Sequence, residues 1–160
     1  TFVSAAFGII DLQKEKMCIA RAGHCPVLLL RNKETLQIKP SGIGLGLIET
    51  ESFEENMEEF EIALKNDDTI VLYTDGITEA KNDKLEDFGE AYFKDILLES
   101  SDLSALELSN KIIKEVTLFS QNYSQYDDIT LVIFKFESRQ SVNSRQDRKK
   151  ISAESGSAFG

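Results

Sequence analysis

The sequence has few of the residues that build zinc sites and nucleophilic triads: one histidine and two cysteines among 160 residues. Cys18 and Cys25 form no Cys-x-x-Cys pattern and no cluster with His24, so zinc is not expected. His24 has no upstream serine or cysteine partner of obvious geometry, which leaves a catalytic triad without support. We interpret His24 as a structural turn residue. Without a secretory signal the thiols are expected to be reduced, which favours a cytoplasmic location.

Long hydrophobic runs are also absent. No apolar stretch approaches the roughly 20 residues of a membrane-spanning helix, so membrane insertion is not expected. At 160 residues and 41% hydrophobic composition, the chain is long enough for one domain with its own core. It begins with Thr1 inside a strand-like run, and we expect it to be cut from a longer polypeptide.

Basic side chains are scarce relative to acidic ones, 18 against 28, which gives a formal charge of −10. Residues 138–160 carry +3 of their own, so the remainder carries −13. An acidic body argues against a nucleic-acid partner, because phosphate binding needs clustered Lys and Arg. The Ser-, Arg- and Gln-rich segment 138–160 has little periodicity, which predicts a disordered basic tail after a folded portion at 1–137.

Strand patterns dominate the first half of the chain, and two helical patterns lie together near the end. This order is typical of an α+β fold with antiparallel sheets and helices on an outer face, not of alternating βαβ units. The first strand reads as buried on both faces. The predicted strands are 2–11, 17–22, 27–31, 35–39, 60–64, 69–76 and 129–136, and the predicted helices are 90–99 and a second that starts at Ser101-Asp102 and runs to about Ser120.

Asp75 follows a short apolar run rich in β-branched and aromatic residues, Thr69–Tyr73, and precedes Gly76. Gly76 allows a sharp turn directly after the carboxylate. A carboxylate fixed at a strand end suits hard cations, because Mg²⁺ and Mn²⁺ prefer oxygen donors. Taken alone, the Asp-Gly pair more often indicates a plain turn than a metal ligand.

Asp127 and Asp128 have the reverse order, with two carboxylates before a buried strand. Alone they indicate a solvated loop end. Neighbouring residues of a strand point to opposite faces, so only one of the two would face a site. If the strands that carry Asp75 and Asp127 are neighbours, their acidic ends meet at one sheet edge. Two such ends can supply the two-metal site used in phosphoryl hydrolysis.

An ordered series of short motifs resembles the C-terminal two-thirds of a SpoIIE/RsbU-type domain, the bacterial branch of the metal-dependent (PPM) protein serine/threonine phosphatases. The resemblance covers roughly residues 1–137. Each motif is weak alone, but the series in this order and spacing is specific. The motifs are the Phe2–Asp11 run, Ala22-Gly23-His24-Cys25-Pro26, Leu45-Gly46, Leu72-Tyr73-Thr74-Asp75-Gly76-Ile77-Thr78-Glu79-Ala80, Phe88-Gly89 and Asp127-Asp128-Ile129-Thr130-Leu131.

The resemblance implies an αββα β-sandwich flanked by helices, with a binuclear Mn²⁺ or Mg²⁺ centre at one edge. It implies that Asp75 and Asp127 are metal ligands, and that Asp128 lies beside them or has no ligand role. The implied reaction is direct attack of hydroxide on phosphoserine or phosphothreonine, without a phosphoenzyme. The implied substrate is a phosphoprotein, often an anti-sigma-factor antagonist. Sensor or receiver domains commonly precede such domains.

One departure concerns the family's other metal-binding motif, Asp-x-x-Gly-His-Gly, which lies upstream of the matched region and does not occur here. We therefore expect the N-terminal part of the domain to be missing and this chain alone to be nearly inactive. Asp75 and Asp127 without their upstream partners would bind metal weakly. The alternative is a non-catalytic, degenerate phosphatase that acts as a regulatory or binding module.

Overall fold

The computed structural model describes residues 1–121 and 128–138. These residues form seven strands and four helices. Asp127 and residues 139–160, which include nearly all of the predicted tail, lie outside the described residues. The elements are β1 (Ala5–Asp11), β2 (Lys16–Ala22), β3 (Val27–Arg31), β4 (Glu34–Ile38), α1 (Thr50–Glu55), β5 (Glu59–Ala63), β6 (Thr69–Tyr73), α2 (Asp75–Thr78), α3 (Glu90–Glu99), α4 (Ala105–Phe119) and β7 (Leu131–Lys135).

The strands form two antiparallel sheets, which confirms the predicted α+β class. One sheet has three strands in the order β1-β2-β5, and the other has four in the order β4-β3-β6-β7. β6 lies in the interior of the larger sheet, paired with β3 on one side and β7 on the other. Among the described strands β7 pairs with β6 alone, so it lies at the edge of the larger sheet.

Side-chain alternation along β3 explains why the larger sheet has a core on each face. Val27 and Leu29 pack toward the smaller sheet, where they join Met17, Ile19 and others in one apolar cluster. Leu28 and Leu30 belong to a second cluster on the opposite face. Successive residues of a strand point to opposite faces, so a continuous apolar run fits a strand covered on both sides. The two sheets thus form a sandwich.

The two longer helices cover the outer face of the four-stranded sheet. Phe93 of α3 and Ile112 of α4 are fully buried in the cluster that also holds Val71 and Tyr73 of β6. The Tyr73 and Phe93 rings meet edge to face with centroids 4.9 Å apart, a favourable geometry for aromatic pairs. The order of layers is therefore sheet, sheet and helices, and none of the described helices is long and apolar enough to cross a membrane.

Two local predictions were wrong, and one short helix was missed. The first strand is not buried on both faces: the side chains of Phe7 and Ile9 are 66% and 59% exposed. α4 begins three residues later than predicted, because Ser104 and Glu107 form a reciprocal capping box. α1 was not predicted at all, since a six-residue helix with one apolar side chain, Phe53, is too short to show helical periodicity.

A buried ion pair ties the turns at the opposite end of the sandwich from Asp75. Asp68 is 1% exposed and accepts two hydrogen bonds from the Arg31 guanidinium, at 2.8 and 2.6 Å. It also accepts the backbone N–H of Lys65 at 2.7 Å. The hydrogen bonds from Arg31 to Asp68 raise the pKa of the guanidinium above its ordinary value. The pair joins β3 to the β5–β6 turn.

We predict that Asp68→Asn lowers the free energy of unfolding by about 2–3 kcal/mol, because it leaves the Arg31 charge without its partner in a half-buried setting. Urea denaturation of the 160-residue chain measures this change. Asp67→Asn is the matched control, since Asp67 is exposed and its substitution is expected to cost no more than about 0.5 kcal/mol. Equal losses in both variants would contradict the assigned role of the ion pair.

Candidate functional site

The pairing of β6 with β7 brings the two acidic stretches of the sequence to one end of the larger sheet. The antiparallel register places Tyr73, the last residue of β6, opposite Leu131, the first residue of β7. Beyond the ladder, the backbone N–H of Thr74 donates to the Thr130 carbonyl at 3.0 Å. The predicted neighbourhood of the two strands is therefore confirmed, and Asp75 and Asp128 follow directly on either side of this junction.

The Thr74 side chain adds two further links across the junction. Its hydroxyl donates to the backbone carbonyl of Asp128 at 3.0 Å and accepts the backbone N–H of Thr130 at 2.9 Å. The sequence did not indicate this role of Thr74, because the partners of a hydroxyl before an Asp-Gly pair are unknown until the β6–β7 register is known. The residue connects the segment that carries Asp75 to the segment that carries Asp128.

Asp75 is the first residue of α2, with Thr74 at the N-cap position. The predicted strand 69–76 therefore ends early, at Tyr73, and a helical turn starts at the carboxylate itself. Asp75 is exposed, whereas the next two residues, Gly76 and Ile77, are buried. The Asp75 carbonyl accepts the backbone N–H of Glu79 at 2.8 Å. This short helix anchors the backbone in the core and leaves the carboxylate in solvent.

The negative charge of Asp75 acts on the pKa of the neighbouring Cys25 thiol. Burial raises the pKa of the Cys25 thiol, the negative charges of Asp75 and Glu79 raise it further, and Arg21 opposes them. Glu79 was also missed, although its position four residues after Asp75 places it on the same side of a helical turn. The sheet edge therefore carries two carboxylates, Asp75 and Glu79, and a half-buried thiol.

His24 and the adjoining loops are tied together by Arg21. The guanidinium donates to the His24 carbonyl and, through Nε, to the Pro40 carbonyl at 3.3 Å. The Nδ1 atom of His24 lies 3.4 Å from the Cys25 carbonyl oxygen. Among its described contacts, the imidazole therefore meets backbone rather than a carboxylate or a nucleophile, which supports the interpretation of His24 as a turn residue.

The carboxylate oxygens at this edge are of the type that binds hard cations, but the described side chains are too few to complete a metal site. Asp75 and Asp128 are both exposed carboxylates on adjoining segments, as Mg²⁺ and Mn²⁺ require. Within residues 1–121 and 128–138, however, no three His, Cys, Asp or Glu side chains gather closely enough to hold a metal. The third predicted residue, Asp127, lies outside the described residues. The described side chains thus supply part of a metal site at most.

Comparison with known proteins identifies relatives of the whole described fold. A family model described as Stage II sporulation protein E (SpoIIE) matches residues 1–137. Protein IcfG of Synechocystis sp. is 29% identical over 136 residues, which are 82% of this chain and 20% of IcfG. The phosphoserine phosphatase RsbU of Bacillus subtilis is 26% identical over 136 residues, which are 84% of this chain and 39% of RsbU. The chain therefore spans well under half of these two relatives.

Solved structures share the fold at low identity. The SiaA-PP2C domain of Pseudomonas aeruginosa matches with a TM-score of 0.72 and 21% identity, over 84% of this chain and 52% of that domain. The phosphatase domain of SpoIIE from Bacillus subtilis, presoaked with Mn, matches with a TM-score of 0.62 and 21% identity, over 84% and 56%. The arrangement of sheets and helices is that of PP2C-type phosphatase domains, of which this chain spans about half.

We predict that Asp75→Asn lowers the pKa of the Cys25 thiol, because it removes a nearby negative charge. The thiolate is the nucleophile, so alkylation by iodoacetamide at pH 8 should become faster. The measurement uses a Cys18→Ser background, since Cys18 is the second free thiol. Asp102→Asn is the control, because this exposed aspartate belongs to the turn at the far end of the sheet. An unchanged rate in Asp75→Asn would contradict the proximity of the two side chains.

Proposed function

The chain belongs to the stage II sporulation protein E (SpoIIE) family, and from that premise we propose that it is part of a metal-dependent protein serine/threonine phosphatase. The observation that carries this proposal is the β6–β7 junction, which joins the Asp75 segment to the Asp128 segment at one sheet edge. Two relatives support it by their descriptions: a phosphoserine phosphatase and a phosphatase domain presoaked with Mn. The reaction is hydrolysis of phosphoserine or phosphothreonine on a protein.

We propose that Asp75 and Asp127 would help to hold the Mn²⁺ or Mg²⁺ centre, with Asp128 as the neighbour of Asp127 in the chain. A bound divalent ion would polarise the phosphoryl oxygens and lower the pKa of water at the site. The chain's own contribution is placement: α2 anchors Asp75 through buried Gly76 and Ile77 and presents its carboxylate to solvent. Asp75 and Asp128 are exposed, which leaves room for a phosphorylated side chain that projects from another protein.

The remaining ligands are proposed to come from the part of the domain that this chain does not span. The chain covers 52% of the SiaA-PP2C domain and 39% of RsbU, and its described residues hold no group of three metal-binding side chains. We therefore propose that residues 1–137 are the C-terminal portion of the phosphatase domain. The segment 138–160 is proposed to be an appended basic tail. The 160-residue chain alone would have little activity.

The substrate class and setting follow from the family. We propose that the substrate is a regulatory phosphoprotein, with an anti-sigma-factor antagonist as the specific candidate. One solved relative contains RsbU and RsbW domains in a single protein of Mycobacterium tuberculosis, which supports a phosphatase that works within a set of regulatory proteins. Sensor or receiver domains in the longer protein and a cytoplasmic location complete the proposal.

The test uses a polypeptide that spans the full matched phosphatase domain, beside the 160-residue chain. With Mn²⁺ present, the longer polypeptide should hydrolyse p-nitrophenyl phosphate and a phosphoserine peptide, and EDTA should abolish both activities. Asp75→Asn should lower kcat/KM at least about a hundredfold, beyond the range for residues that merely support metal ligands. Asp102→Asn, at the far end of the sheet, should leave the rate unchanged.

Activity that persists in Asp75→Asn, or in EDTA, would overturn the metal mechanism. A longer polypeptide that binds phosphoprotein but hydrolyses nothing would favour the alternative, a degenerate phosphatase that works as a binding module. Substantial activity of the 160-residue chain alone would contradict the proposal that the missing ligands lie in the part it does not span.

A further inference from the structure

We propose that the cavity at the end of the larger sheet opposite Asp75 binds a small zwitterion of the α-amino acid class. The cavity lies between the β3–β4 turn, the β5–β6 turn and the turn that joins α3 to α4, and its volume is about 230 Å³. At about 30 Å³ for each water molecule, this space would hold roughly seven waters, which is room for an amino acid with a short side chain. The site is separate from the proposed phosphatase centre and does not depend on that proposal.

One edge of the Arg31 guanidinium is available in the cavity wall. Nε donates to Asp68 Oδ1, and Nη2 donates to Asp68 Oδ2 and to the Ala63 carbonyl. A guanidinium has five N–H donors, so these bonds leave the two N–H groups of Nη1, which have no partner among the described residues. The Arg31 side chain, which lines the cavity, is 16% exposed. The wall therefore offers an unused cationic donor to a carboxylate.

Unpaired charges of both signs surround the opening of the cavity. The exposed side chains of Lys33 and Lys65 lie on the two strand turns, and neither forms an ion pair within residues 1–121 and 128–138. Exposed Asp67 and Asp102 add two carboxylates, which have no ion pair in the same ranges. Asp67 accepts a hydrogen bond from the Asn66 amide at 2.7 Å, and a carboxylate can accept further donors. Both signs of charge are thus open to a ligand.

A ligand that carries both charges complements this lining better than a simple ion does. An isolated anion would face the two carboxylates, and an isolated cation would face the ammonium groups and the guanidinium edge. We place the carboxylate of the amino acid at Nη1 of Arg31 and its ammonium group at Asp67, because hydrogen bonds between ionised partners are the stronger ones. The dissociation constant is expected to be on the order of 1–10 mM, since a small ligand makes few contacts in a cavity open to solvent.

The experiment titrates the isotope-labelled 160-residue chain with L-alanine at about pH 7, where both charged groups of the amino acid are ionised. Acetate and methylammonium, which carry one charge each, are titrated separately at the same ionic strength. The NMR chemical shifts of the Asn32, Asn66 and Ser101 amides report on the three turns around the cavity. Arg31 is not replaced, because loss of its pair with buried Asp68 would destabilise the chain.

Two variants each remove one charge at the cavity, Lys65→Gln and Asp67→Asn, and Lys84→Gln and Asp83→Asn are matched controls on the exposed loop that follows α2. L-alanine is expected to shift all three amides in one saturating process, and acetate or methylammonium should shift them less than about a third as much at equal concentration. Each cavity variant should weaken L-alanine binding about threefold, within the range for exposed ion pairs, while the controls leave it unchanged.

An L-alanine titration that leaves the three amides unmoved would overturn the proposal. Acetate that binds as tightly as L-alanine would also overturn it, because the cavity would then be a site for simple anions. Equal weakening in the cavity variants and in the two loop controls would show a general effect of charge and would contradict the assigned site.

Discussion

The antiparallel pairing of β6 with β7 sets the geometry of the candidate site. β6 lies between β3 and β7, and its ladder runs from Thr69 opposite Lys135 to Tyr73 opposite Leu131. That register decides which residues leave the sheet together at its end. A slip of one residue would turn every β7 side chain to the opposite face and would break the Thr74 bonds at the junction. The candidate site is therefore a consequence of strand register.

Two apolar cores hold that register in place. Ile70 of β6 packs in the cluster between the sheets, while Val71 and Tyr73 pack beneath the helices, and all three are at most 3% exposed. Full burial of side chains of this size favours the fold by about 1.5–3 kcal/mol each. The opposite end of the strand is fixed by the buried Asp68–Arg31 pair. The exposed Asp75 carboxylate lies just beyond these buried residues, at the other end of the strand.

Local sequence signals predicted most strands because apolar alternation and turn residues are local. They failed where the deciding contact is distant or the pattern is short. Phe7 and Ile9 look like core residues in sequence, yet they project from the uncovered face of the smaller sheet.

The start of α4 could be predicted from the Ser104…Glu107 spacing, but Ser101-Asp102 offered a competing cap. Asp75 could be proposed from its motif, whereas the Thr74 bonds to Asp128 and Thr130 join residues more than 50 positions apart and follow only from the register.

We propose that the segments that carry Asp75 and Asp128 bind one metal centre together. Paramagnetic broadening by Mn²⁺ in the amide NMR spectrum of the 160-residue chain tests this most directly, because it locates even a weakly bound ion. We expect the amides of Gly76 and Thr130 to broaden together, at the lowest Mn²⁺ concentrations and before any others. Earlier broadening at the acidic strand β5, or broadening of one of the two segments without the other, would contradict it.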